Sequence, residues 1–174
     1  MTKTTIILAM HGAPPNDFPQ HELAEMLGLH NRIEHIVGSE RTALERRYDE
    51  LNAKMRAWPR TAQNDPFFVA SHELATALDQ ATRCEVIVGF NEFCAPSLDA
   101  ALDQAAAQAA ERVMVITPMM TRGGEHSEVD IPAAVQRAQE RHREIRFVYV
   151  WPFEVNEVAE FLAAQISRFS RRNE

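Results

Sequence analysis

Ile6-Ile7-Leu8-Ala9-Met10-His11-Gly12 is a short apolar run that stops on a histidine and a glycine. Its length and its lack of polar alternation mark a strand covered on both faces. Extended back by one residue it gives a first strand at Thr5–Met10, and three further stretches read the same way: Glu85–Phe90, Arg112–Pro118 and Arg146–Trp151. Helical patterns alternate with them. Ser97 is placed to cap a helix over Leu98–Ala110, with Leu98, Ala101, Leu102 and Ala105 on one face. Asp130 and Pro132 mark the start of a helix reaching about His142. Val155, Val158, Leu162, Ile166 and Phe169 form the apolar stripe of a last helix. This alternation predicts an α/β fold of three layers: a four-stranded parallel sheet with helices on both faces, joined by right-handed crossovers.

The first connection is long. Between Gly12 and Glu85 there is room for three helices where one would suffice. Ser39 is a candidate cap for a helix whose Leu44, Tyr48, Leu51, Met55 and Trp58 recur at amphipathic spacing. Pro59 and the polar run Arg60–Asp65 end it, and another helix is expected from about Val69 to Arg83. No repeat or flexible linker interrupts the chain. The reading is therefore one domain over residues 1–174 with a helical insertion at about 19–83.

Composition narrows the function classes. The 174 residues carry a net charge of −7, which disfavours broad nucleic-acid binding. Apolar residues make up 45% and charged residues 25%, as in ordinary globular proteins. No apolar run reaches the roughly 20 residues of a membrane helix, and the opening strand is too short for a secretory core, so a cytoplasmic protein is expected. Cys84 and Cys94 lack a CxxC spacing and read as free thiols, not as a disulfide.

In an open parallel sheet, ligands bind at the carboxyl edge of the strands. Each predicted strand ends near a group able to bind metal or accept a proton. His11 follows the first, Glu92 the second, His126 and Glu128 the third, and Glu154 the fourth. Imidazole suits cobalt, nickel, iron and zinc ions and also accepts protons near neutral pH. Gly12 allows close backbone approach. Met10, Met119 and Met120 read as pocket lining. Glu128 is open to two readings, a metal ligand or a charge at the positive end of the next helix. His21, His30, His35, His72 and His142 fall in helical segments away from strand ends and receive no role. Neither a GxGxxG nor a GxxxxGK[ST] phosphate loop is present, which removes the main support for a phosphorylated-metabolite binder.

At these positions the chain resembles the class II tetrapyrrole chelatases of the CbiX/SirB type. The resemblance rests on Ile7-Leu8-Ala9-Met10-His11-Gly12, on Gly89-Phe90-Asn91-Glu92-Phe93-Cys94-Ala95-Pro96-Ser97-Leu98, and on Thr117-Pro118-Met119-Met120 through Gly123-Gly124-Glu125-His126-Ser127-Glu128-Val129-Asp130-Ile131-Pro132. It implies a chelatase fold and insertion of a divalent ion (Co, Fe or Ni) into sirohydrochlorin or a related tetrapyrrole, in cobalamin or sirohaem synthesis. It implies that His11 and His126 serve as metal ligand and proton acceptor, with Glu92 at the family's acidic position. It also implies a homodimer. No permanent cofactor is expected, because the metal is a substrate. Arg122 is the leading candidate for binding the carboxylates of the tetrapyrrole, ahead of Arg112 and Arg146, with Gly12 and Met10 beside it. The long insertion departs from the small members of the family. Leu44–Leu51 and Asp65–Val69 faintly resemble protoporphyrin ferrochelatases, so a ferrochelatase-like enzyme acting on another porphyrin is one alternative. A non-catalytic metal or tetrapyrrole carrier is the other.

Overall fold

The protein is described by a computed structural model covering residues 3–33, 35–108 and 110–171. Strand β1 (Thr4–Met10) is followed by three helices, α1 (Gln20–Ile33), α2 (Ser39–Arg56) and α3 (Pro66–Thr82). Then come β2 (Glu85–Phe90), α4 (Leu98–Ala107), β3 (Arg112–Ile116), α5 (Ile131–Arg141), β4 (Arg146–Tyr149) and α6 (Val155–Ser170). The sheet is parallel throughout, in the order β2-β1-β3-β4. The α/β architecture read from the sequence is therefore the one observed.

Alternate residues of β1 point into two different cores. Ile7 and Ala9 pack with Val113, Val115 and the inner faces of α4 and α5, where Leu98, Ala101, Leu102, Ala134 and Ala138 are buried. Leu8 and Met10 point the other way, to Val88, Phe90 and Ala75 of α3. Small residues let α4 lie close to β2: a Cβ on Gly89 would stand 2.9 Å from Ala101 Cβ and 3.1 Å from Leu98 Cα. The Ser97 side chain accepts from Ala100 N, as its position suggested.

Helices α1 and α2 form a hairpin with a core of its own. Phe18, Met26, Leu29, Leu51 and Met55 are buried together, with Tyr48, Trp58 and Phe93 packed at the margin. Several expected caps and ends shift, among them the end of α4, which stops at Ala107 instead of Ala110. Gly38, with φ of +78°, occupies the α2 cap position in place of Ser39, and no side chain caps that helix. Asp65 caps α3 through Phe68 N, so α3 starts three residues earlier than expected. The third and fourth strands end at Ile116 and Tyr149 because their last residues turn toward the loops. The α6 stripe is real but faces solvent: none of the helix is buried, and Val155 and Ile166 are 79% and 67% exposed. Among the described residues no helix is long and apolar enough to cross a membrane.

Candidate active site

The two histidines are brought together. The rings of His11 and His126 meet edge to face with centroids 4.4 Å apart. Glu92 joins them, so that one ligand atom from each of the three residues lies within 4.8 Å of the others. His126 Nε2 stands 4.0 Å from Glu92 Oε2. Three strand ends converge as the sheet edge requires, because β1 lies between β2 and β3.

The loops that carry the cluster are tied to each other by backbone. Asn91 N donates to Met10 O and Glu92 N donates to His11 O, both at 2.9 Å. That pairing extends the β1–β2 ladder past the strands and fixes Glu92 beside His11. Gly12 makes the approach possible. At φ of +102° its hypothetical Cβ would lie 2.0 Å from Glu92 O, so only a residue without a side chain fits. The close approach that Gly12 permits is to protein backbone, in the loop that bears the first histidine.

His126 sits on a single π-helical turn, His126–Asp130, that leads into α5. Such turns recur at functional sites because they redirect side chains within a helix. Ser127 Oγ donates to Gly124 O, and Glu128 N donates to the same carbonyl. From β4, the Tyr149 hydroxyl donates to Ser127 O at 3.0 Å, and burial pushes that phenol up to about 12. Glu128 is not part of the cluster. Its carboxylate accepts from Gly123 N at 3.0 Å and so closes the glycine turn.

Hydrogen bonding settles which imidazole nitrogen is free. His126 Nδ1 lies 2.6 Å from Asp130 Oδ2, and His11 Nδ1 lies 2.8 Å from Gly12 O. An ionised carboxylate and a carbonyl can only accept. Both Nδ1 atoms therefore carry hydrogen, and both Nε2 atoms are left for a metal ion or a proton. Asp130 is the residue that reading the sequence missed. It looked like a helix start, yet its spacing of four residues from His126 was the available signal, since i and i+4 share a helical face.

Other expected site residues fall elsewhere. The Arg122 guanidinium lies over the Trp151 ring, 5.9 Å from its centroid, and does not border the cavity beside the cluster. Met10 is buried in the α3-side core with Leu8 and Phe90. Glu154 stands at the N-cap position of α6, without a capping side-chain hydrogen bond, and outside the cluster. Cys94 is fully buried and its thiol is pushed up by that burial.

Glu92 and His126 of the cluster border a cavity of about 490 Å³, a size usual for small-molecule sites. Its lining includes His126, Glu92, Asp130 and Arg137, and also His30 and Tyr48 from the insertion. A family model described as CbiX matches residues 69–168, which is more than half of the chain. The chain belongs to the CbiX family. The match contains Glu92 and His126, while His11 and the α1–α2 hairpin precede it.

A sirohydrochlorin cobaltochelatase of Priestia megaterium is 39% identical over 70 residues, which are 40% of this chain and 22% of that protein. The chain thus matches a little over a fifth of the curated relative's length. A crystal structure of a CbiX protein from Marinobacter aquaeolei VT8 superposes with a TM-score of 0.56 at 15% identity, covering 98% of this chain and 99% of that one. That likeness shows the shared fold. The sirohydrochlorin chelatase SirB of Bacillus subtilis subspecies spizizenii, solved with cobalt, gives a TM-score of 0.44 at 17% identity, over 87% of this chain and 44% of that one.

Proposed function

We propose that this protein inserts a divalent metal ion, with cobalt, iron and nickel as candidates, into sirohydrochlorin or a closely related tetrapyrrole. One observation carries the reading: one ligand atom each of His11, Glu92 and His126 lies within 4.8 Å of the others, both Nε2 atoms are free, and Glu92 and His126 border the cavity. Family membership and the cobaltochelatase relative support it.

Metallation must strip water from an ion and remove two pyrrole protons. A neutral imidazole holds the incoming ion, the other imidazole takes up one pyrrole proton, and the Glu92 carboxylate takes up the second. Glu92 faces His126 at a distance that suits a transient ligand or a proton relay, not a fixed ion pair. The three-residue set leaves coordination positions open, as a site that must surrender its metal requires. The working unit we propose is a homodimer, supported by the exposed apolar face of α6, and the compartment we propose for it is the cytoplasm.

The test is anaerobic incubation with sirohydrochlorin and Co, Fe or Ni ions, followed by absorbance. The protein should accelerate metallation. His11→Ala and His126→Ala should each lower the rate by about 10²–10⁴-fold, the usual worth of a positioned proton-transfer group. Wild-type rates in both variants would remove the assigned roles. Stoichiometric binding without turnover would instead identify a carrier.

A further inference from the structure

The cavity has two sides of opposite chemical character. On the α4–α5 side stand Asp99, Glu125 and Asp130. Asp99 is engaged by Arg137, at 2.5 and 3.2 Å, and Asp130 by His126. With Glu92 on the floor, four carboxylates border the cavity against two arginines, Arg56 and Arg137. That side attracts cations and repels a macrocycle fringed with carboxylates.

The opposite side is the α1–α2 hairpin, which contributes His30, Tyr48, Asn52 and Arg56. Tyr48, Asn52 and Arg56 recur at i, i+4 and i+8, so they form one stripe along α2. The buried Leu51 and Met55 fix the rotation of that helix against α1. Arg56 secures the far end of the stripe to the Glu92 loop, donating to Cys94 O at 2.6 Å and to Asn91 O at 2.9 Å. The hairpin is therefore clamped beside the metal-binding cluster.

What remains on the stripe is unspent. Among the described residues, neither the Tyr48 hydroxyl nor the Asn52 amide makes a hydrogen bond. The His30 ring rests against Tyr48, centroids 5.6 Å apart. Burial, and then the negative charge of Glu92, holds the Tyr48 phenol above its ordinary range. It stays neutral at physiological pH and keeps a hydrogen to donate.

We propose that this donor wall, Tyr48 and Asn52 flanked by His30, binds the carboxylated rim of the tetrapyrrole while the acidic side admits the metal ion. The proposal rests on the chelatase reading and deepens it: the insertion decides which tetrapyrrole is accepted. Donors without a net charge can take a carboxylate through charge-assisted hydrogen bonds. They do so without drawing the nearby Glu92 into a competing salt bridge.

Two titrations test it separately. Metal-free sirohydrochlorin is titrated into wild type, Tyr48→Phe, Asn52→Ala and His30→Ala, and Co²⁺ alone is titrated into the same proteins. Tyr48→Phe keeps the ring packing and removes only the hydroxyl. Tyr48→Phe and Asn52→Ala should each weaken sirohydrochlorin binding by about tenfold or more, the scale of a hydrogen bond to a charged group. Co²⁺ affinity should be unchanged, and in turnover KM should rise with kcat near wild type. Wild-type binding of sirohydrochlorin by the variants, or a parallel fall in Co²⁺ affinity, overturns the donor wall and leaves the chelatase reading standing. Failure of the wild type itself to bind sirohydrochlorin overturns both.

Discussion

His11 and His126 present the same tautomer by different means. A backbone carbonyl orients the first, and a carboxylate one helical turn away orients the second. The difference has consequences for orientation. A carboxylate hydrogen-bonded to one imidazole nitrogen holds the ring in place. Asp130 thus fixes the His126 ring with its Nε2 turned toward Glu92. Asp130→Ala should lower Co²⁺ affinity or metallation rate by about 10–100-fold, the usual cost of losing such an outer partner. Titration calorimetry and the absorbance assay would both report it. Retention of full affinity and rate would show that the imidazole needs no orienting group.

Among the elements, the critical joint is the buried pair Arg60–Asp65. Their side chains are 5% and 1% exposed, and Arg60 Nη1 lies 2.6 Å from Asp65 Oδ2. The same guanidinium donates to Ala13 O, Met55 O and Phe93 O. It thereby ties the β1 exit loop, the end of α2 and the Glu92 loop to the start of α3, which Asp65 caps. Removing one member of such a pair strands the other charge in the interior, at a cost of about 3–5 kcal/mol. Arg60→Met should lose stability on that scale in urea denaturation and weaken Co²⁺ binding as well, because Ala13 and Phe93 adjoin Gly12 and Glu92. Arg60→Lys should rescue little, since a single ammonium cannot serve carbonyls spread around a planar fork. Unchanged urea midpoints would contradict the joint. The sequence shows Arg60–Asp65 only as polar residues that end a helix. Strand ends, by contrast, were legible: apolar runs stopping at His11, Glu92 and the His126 turn gave both the parallel sheet and the three clustered residues. Arg122 lies in the loop after β3 and its partner Trp151 in the loop after β4, and a contact across two loops leaves no local pattern in the sequence. His30 was passed over because a helical histidine carries no sign that its helix folds back over the sheet edge.

At the scale of the whole molecule, α6 is the element that does not fit a self-contained unit. Parallel sheets are ordinarily covered by helices on both faces, yet Val155, Phe161, Leu162, Ile166 and Phe169 all face solvent, each more than half exposed. Scattered apolar residues need no explanation, whereas a contiguous stripe marks an interaction surface. The charges on the helix suit the proposed second copy. Glu154, Glu157 and Glu160 lie toward its N-terminal end, and Arg168 and Arg171 toward its C-terminal end. Two copies laid antiparallel would bury the stripes together and set acidic halves against basic halves, a self-complementary contact with two-fold symmetry. Centred near Phe161, that pairing brings Glu154 beside the second copy's Arg168. Sedimentation should then show a dimer that Phe161→Glu with Ile166→Glu converts to monomer, with the circular dichroism of the sheet domain retained. Exchanging the charges at Glu154 and Arg168 together should preserve the dimer, while reversing either one alone should weaken it. A monomer at every concentration in the unmodified protein would assign the stripe to another partner.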